Sequence, residues 1–533
     1  MEASGTAAIR TAIEEGFGRL LTVRQGTAPN ELFLMLKENA HAELPEICSV
    51  LARTYKATFV TLVPNDERAI NGMFCVYYVF SVPREDLFLI LGVTVDPAQR
   101  ELPSISMNID GATWFEREMK DWFGIVAFPN IPKLAVHPDW PEDLYPMLKD
   151  FEPSAPRPRG RGHFDFRHVE GEGVFEIPVG PVHAGIIEPG HFRFTVAGEP
   201  VINLDAQLFY VHKGTEKIAE GKPPQHALAL AERISGDSSF AHAIAYCHAI
   251  ERLAGIEAPA PARAARSLLL ELERLYNHFG DMGAMLLDVG FLVGAQAGFR
   301  MKERMLQLNE VLTGSRLLRG MAAIGGVTKP VQDTPVRRES LHAALQEIGE
   351  EFERFMDLVL STSSVIDRFE TTGRLRHQDA HRLGIVGIAG RASGIDRDLR
   401  RDHPHCAYAG LDLNIPVMSE GDVLSRFRVR AQEVRESLRL LWHFSRQAVD
   451  GPPAKIHGAL PPRRHALGYV EGWRGEIVHW VMTDTAGNIF RWKITDPSFH
   501  NWRALKIAIL NNIVPDFPVI NKSFNLSYSG NDR

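Results

Sequence analysis

Residues 151–162 read Phe-Glu-Pro-Ser-Ala-Pro-Arg-Pro-Arg-Gly-Arg-Gly. Proline removes a backbone donor, glycine costs chain entropy, and the charged residues between them offer a core nothing to bury. Neither a helix nor a strand crosses such a stretch, so residues 151–172 read as a linker and divide the chain into 1–150 and 173–533. For 533 residues, a prior of roughly 150 residues per domain gives two to four domains. Before the linker, apolar and β-branched runs at 32–36, 60–63, 74–82 and 87–95 predict strands, and residues 42–55 and 112–123 carry helical spacing. After it, short strands are expected at 175–179, 191–196 and 207–211. Long amphipathic helices follow at 266–280, 301–318, 341–366 and 422–449. Late strands at 475–482 and 490–494 flank the turn residues 484–488. The expected class is multidomain α+β: a small N-terminal α+β domain, then a mainly helical domain with small β-sheets.

A net charge of −7 and a pI near 6.3 give no electrostatic basis for binding nucleic acid. The cysteines, Cys48, Cys75, Cys247 and Cys406, include no Cys-x-x-Cys pair and fit a reducing compartment better than a disulfide scaffold. No apolar run reaches the roughly 20 residues of a membrane span. If the protein works at a membrane, partners are expected to hold it there.

Two sets of motifs carry a family resemblance. Trp114-Phe-Glu-Arg-Glu-Met-Lys-Asp-Trp-Phe-Gly124, followed by His137-Pro-Asp139, resembles the signature of the C-type subunit of respiratory complex I. Glu116, Arg117, Glu118, Gly124, His137, Pro138 and Asp139 match; Trp140-Pro-Glu142 replaces the family's basic pair. Beyond the linker, Gly180-Pro-Val-His-Ala-Gly185, Leu270-Glu-Leu-Glu-Arg-Leu-Tyr-Asn-His278, Arg391-Ala-Ser-Gly-Ile395, Glu471-Gly-Trp-Arg-Gly-Glu476 and terminal Asp532-Arg533 follow in order. They resemble the large subunit of group 4 [NiFe] hydrogenases and the D-type subunit of complex I. The resemblance implies a fused C-type and D-type subunit in a membrane-bound, ion-translocating assembly. It also implies a small-subunit partner carrying a [4Fe-4S] cluster, antiporter-like membrane subunits, and a peripheral place on the cytoplasmic face of the membrane.

In those hydrogenases, four thiolates from two Cys-x-x-Cys pairs hold nickel. Alignment on Glu232-Arg233 and on Asp532-Arg533 puts Ser235, Ser238, Ser527 and Gly530 at these positions. Hydroxyls are hard, normally protonated donors and glycine offers no side-chain ligand, so this chain is expected to bind no metal and hydrogen chemistry is disfavoured. Complex I uses the same cavity for a quinone headgroup, held by a tyrosine and a histidine. Those positions fall on Gly236 and Ile187, so quinone reduction stays an alternative, as does a redox-silent scaffold.

Among single residues, Glu188 follows Ile186-Ile187, and partial burial would suit it to proton transfer. His183 matches a family histidine but sits in a Gly-Pro turn that also suits a structural role. Asp237 is an extra acid within the vacated loop and a candidate proton relay, with an ordinary loop residue as the alternative. Arg391 and Arg474 match arginines near the family's cavity, where each could equally form a structural ion pair. His403 and His405 flank Pro404 in a charged loop expected to face solvent. Cys247 and Cys406 read as inert packing.

Overall fold

The computed structural model describes residues 5–129, 134–156, 164, 166–183, 187–331, 335–447, 454–456 and 458–533. Strands β1 (Leu21–Gln25), β2 (Glu31–Leu36), β3 (Thr58–Asp66), β4 (Phe74–Val82) and β5 (Leu87–Val95) form a sheet in the order β1-β2-β5-β4-β3. Only β2 and β5 run parallel. Every residue of β4 is buried, which accounts for its continuous apolar run where a one-sided strand would alternate. One face packs on helices Leu44–Thr54 and Thr113–Phe123 through Ile47, Leu51, Phe115 and Met119. The other meets residues from beyond the linker: Val63, Tyr77 and Phe88 share a core with Leu467, Tyr469 and Trp480. A small parallel pair, β6 (Glu101–Pro103) and β7 (Val126–Phe128), flanks the second of those helices.

After the linker, β8 (Val174–Val179), β9 (His191–Ala197) and β10 (Val201–Gln207) form an antiparallel sheet in the order β10-β9-β8. The third strand therefore precedes the expected 207–211. Gly198, with φ +68°, turns the chain back at once, and Phe209, with φ +69°, leaves extended backbone. A two-residue hairpin, β11 (Ala322–Ala323) and β12 (Gly326–Val327), precedes the final sheet of β13 (His465–Gly472), β14 (Gly475–Thr483) and β15 (Ile489–Thr495). Strand β13 carries no sequence signal because Gly468 interrupts it. A Cβ there would lie 2.0 Å from the Ala245 carbonyl of the helix Ser239–Ala254 packed over it.

The helical body centres on Ala260–Asp288, buried along most of its 29 residues, with Leu292–Thr313, Pro335–Ser361 and Val423–Ser445 packed around it. Gly283 and Gly298 let two helices touch: a Cβ on Gly298 would come within 2.7 Å of the Gly283 Cα. The helix expected at 341–366 is two, Pro335–Ser361 and Ser363–Phe369, broken at extended Thr362. Residues 448 and 449, the expected end of the last long helix, lie outside the described residues. Among the described residues no helix is long and apolar enough to cross a membrane.

The two halves are joined by buried charge. Lys493 donates to both oxygens of Glu118, at 2.7 and 2.6 Å, and the Arg533 guanidinium lies 2.9 Å from the same carboxylate. His403 and His405 are buried instead of facing solvent, because the N-terminal sheet covers His403 while His405 packs on His248, Tyr408 and Tyr469. His403 stacks on Phe88 at 4.1 Å, with Nε2 2.6 Å from Ser81 Oγ and Nδ1 3.0 Å from Asp86. This Ser–His–Asp order resembles a nucleophile triad, but Ser81 has no accessible surface to offer a substrate.

Candidate functional site

Two loops far apart in sequence meet beside the central helix. The first, residues 232–238, joins the helix Pro224–Ala231 to Ser239–Ala254. The second begins where Asn525, with φ +44°, ends the helix Phe517–Phe524, and Ser527 then caps the helix Tyr528–Asp532. Asparagine tolerates this left-handed geometry, and a serine hydroxyl suits the N-cap. Ser235 Oγ and Ser527 Oγ lie 2.9 Å apart across 292 residues. Gly530 N–H donates to Ser527 Oγ at 2.8 Å, and Ser235 Oγ donates to Asp237 Oδ1 at 2.8 Å. With one proton per hydroxyl, the Ser527 proton points to Ser235, so the chain runs in one direction and ends on a carboxylate.

Position 530 has no room for a side chain. An ideal Cβ there would lie 2.5 Å from Asp496 Oδ2. Asp496 is itself fixed: Oδ1 accepts from Ser498 N at 2.7 Å and Oδ2 faces His242 Nε2 at 2.9 Å. Burial pushes the Asp496 carboxyl up, but His242, Arg474 and Ser498 together outweigh it and hold the group below the usual carboxylate range. His242 Nδ1 lies 3.0 Å from His479 Nε2, and burial beside His242 keeps the His479 ring neutral.

Arg474, at the turn between β13 and β14, spans both loops. Its Nη1 and Nη2 donate to the two oxygens of Asp237 at 2.7 and 2.6 Å, and its Nε donates to the Asn525 carbonyl at 2.5 Å. A longer contact, 3.4 Å, reaches Ser238 Oγ. The Asp237 carbonyl accepts from Trp473 Nε1 at 3.0 Å and Asn277 Nδ2 at 2.8 Å. Burial would raise the Asp237 carboxyl, yet the paired guanidinium and the Ser235 hydroxyl hold it below the ordinary range. An ionised, doubly bonded carboxylate is poorly disposed to pick up a proton near neutrality.

These loops line a cleft of about 260 Å³, together with Ile187, Glu188, Gly236, Lys522 and Tyr528. The structure thus brings Ser235, Ser527, Asp237, Arg474 and Glu188 to one place. Glu188 is exposed instead of partly buried, and its carboxylate accepts from Ser529 N at 2.9 Å; Ile186 lies outside the described residues. His183 stays in its turn, with Nε2 2.8 Å from the Gly190 carbonyl, and does not line the cleft. Nor does Arg391, which is buried against Glu433 at 2.5 Å, Glu471 at 2.9 Å and Asp398 at 3.4 Å. Cys247 is buried and Cys406 lies near His248 at 3.5 Å, away from the cleft. Gly236 and Ile187, the positions of the quinone-binding tyrosine and histidine, do line it but offer no side-chain hydrogen bond. Sequence reasoning passed over Lys522, Tyr528, Asp496 and His479. For Asp496 a signal existed, since an acid directly before Pro497 at the end of an apolar run reads as a helix N-cap.

The donors present do not fit a thiolate-held nickel centre. Ser235 and Ser527 are spent on each other, and the Asp496 carboxylate occupies the side-chain volume at position 530. Among the described residues no group of three or more His, Cys, Asp or Glu side chains is arranged to hold a metal ion.

Comparison with known proteins matches three family models along the chain. Residues 38–157 match the 30 kDa subunit of the respiratory-chain NADH dehydrogenase, and residues 288–533 match its 49 kDa subunit. Residues 213–280 match the nickel-dependent hydrogenases. Formate hydrogenlyase subunit 5 of Escherichia coli is 34% identical over 98% of this chain and 92% of its own length. Hydrogenase-4 component G of the same organism is 33% identical over 99% of this chain and 92% of its own. Among solved structures, a chain of the membrane-bound sulfane sulfur reductase, an archaeal respiratory membrane complex, superposes with a TM-score of 0.64 at 25% identity. It covers 69% of this chain and 100% of that one. The chain therefore belongs to the family in which complex I-type 30 kDa and 49 kDa subunits are fused into a [NiFe] hydrogenase-like large subunit.

Proposed function

We propose that this chain is the large, peripheral-arm subunit of a membrane-bound, hydrogenase-related complex that couples redox or conformational change to proton or cation translocation without a NiFe centre. The observation that carries this reading is the closed network at the four ligand positions: Ser235 bonded to Ser527, Arg474 reaching for Ser238, and Asp496 filling the space at Gly530. An iron–sulfur small subunit with a [4Fe-4S] cluster and antiporter-like membrane subunits are the partners such a subunit requires, and the cytoplasmic face is its expected side. This chain itself holds no cofactor. The names of its relatives support the setting, since one is an archaeal respiratory membrane complex. Quinone reduction has less support, because Gly236 and Ile187 present no donor to a carbonyl.

Metal analysis and electron paramagnetic resonance on the purified intact complex test the proposal. Iron–sulfur signals without nickel are the expected result. Stoichiometric nickel would overturn it, and a complex with neither metal would leave only the redox-silent scaffold.

A further inference from the structure

A metal held by thiolates from both loops would also tie them together. Here that task has other occupants. The Arg474 guanidinium makes a two-pronged pair with Asp237 on the first loop and donates to the Asn525 carbonyl on the second. Such a fork is directional as well as strong. Neither end can swing away. Trp473 and Asn277 pin the Asp237 backbone, while Asn525 Nδ2 donates to Asp281 at 2.5 Å, which Arg430 Nε holds at 3.0 Å. At the other end of the second loop, Asp496 closes the volume that a fourth ligand would need.

We propose that Arg474 replaces the metal as the structural cross-link while Asp496 fills the place of the fourth ligand, so that residues 525–533 dock against the first loop without any ion. The inference rests on the reading that this chain holds no nickel. Asp496, held by Ser498 N and His242, makes glycine obligatory at 530. Refilling that position with any side chain therefore requires Asp496 to leave first.

Amide hydrogen exchange of residues 525–533 in the intact complex tests the proposal. In the wild type, chelator or added nickel should change protection by less than about two-fold. Arg474→Met should speed exchange at least about ten-fold, and Arg474→Lys, which keeps the charge but not the fork, should fall between. Should Arg474→Met fail to assemble, a second pair decides. Gly530→Ala alone should lose protection, and adding Asp496→Ala should restore part of it, giving a less than additive cycle. Unchanged exchange in Arg474→Met, a harmless Gly530→Ala, or loss of wild-type protection on chelation overturns the cross-link. Bound nickel would instead strike the functional reading, so the two failures are told apart.

Discussion

Arg391 and Glu188 were both candidate site residues by sequence, yet they have opposite fates. Arg391 balances three buried carboxylates, Glu433, Glu471 and Asp398, with about 1% of its side chain exposed. Removing it would leave Glu471 without its paired guanidinium in low dielectric and take one cation from Glu433 and Asp398, which keep Arg274, His278 and Arg400. Arg391→Met is therefore expected to cost about 3–5 kcal/mol, whereas Glu188→Gln, on an exposed group, should stay within about 0.5 kcal/mol. Denaturant titration of both variants checks this, and comparable losses would refute the contrast. Sequence could not separate the two, because each is a single charge beside a glycine motif and burial is set by chain that arrives from elsewhere. Asp237 was legible as a residue of the vacated loop and Arg474 as an arginine near the family's cavity. Their bidentate pairing was not, since it joins positions 237 apart along the chain.

The helix Thr113–Phe123 shows how far an amphipathic pattern reaches. Its apolar residues do pack on the N-terminal sheet, as its periodicity predicts. Its charged face is not solvated, however: Glu116, Glu118 and Asp121 are all buried. Glu116 accepts from Ser104 and Ile105, and Asp121 from the backbone of Leu134 and Ala135, all in the same half, while the second half of the chain brings Lys493 and Arg533 to Glu118 and stacks His212 on Trp122 at 4.9 Å. A helix with a polar face opposite its core reads as a surface helix until a second core covers it. Strand β13 is the complementary case, where close approach to a helix selected glycine and erased the strand signal. Glu118→Ala should leave Lys493 and Arg533 without their shared carboxylate and cost about 3–5 kcal/mol. The loss should appear first as faster hydrogen exchange in the helix Thr113–Phe123 and in β15. Unaltered exchange at both would show that apolar contact alone welds the halves.

At the scale of the molecule, titratable groups buried in the second half and in its seam with the first set how stability responds to pH. Burial holds His405 down to about 4, and His465 and His500 each down to about 3. His248 and His479 lie well below the usual imidazole value for the same first cause. These rings stay neutral in the fold while the unfolded chain protonates them below about 6.5, so stability falls as pH drops through that value. Carboxyls work in the other direction. Burial pushes Glu273 up to about 8 and also raises Glu471. The fold therefore binds protons that the unfolded chain releases above about 4.5, and stability falls as pH rises from there towards 8. Between 8 and 6.5 the carboxyls act alone and acidification stabilises. Below 6.5 nine histidines held down by burial, His212, His278 and His403 among them, oppose the carboxyls raised furthest, Glu273, Glu471 and Asp532, and at about 1.4 kcal/mol per pH unit per proton the histidines win. Stability should thus peak near pH 6.5. His465 packs between Phe33, Tyr77 and Trp480 in the seam itself, so His465→Phe should flatten the acid limb by about one proton while leaving the alkaline limb unchanged. Denaturant midpoints from pH 4.5 to 8.5 read both limbs, and a curve still rising at pH 8.5 would show that the buried carboxyls do not carry the protons assigned to them.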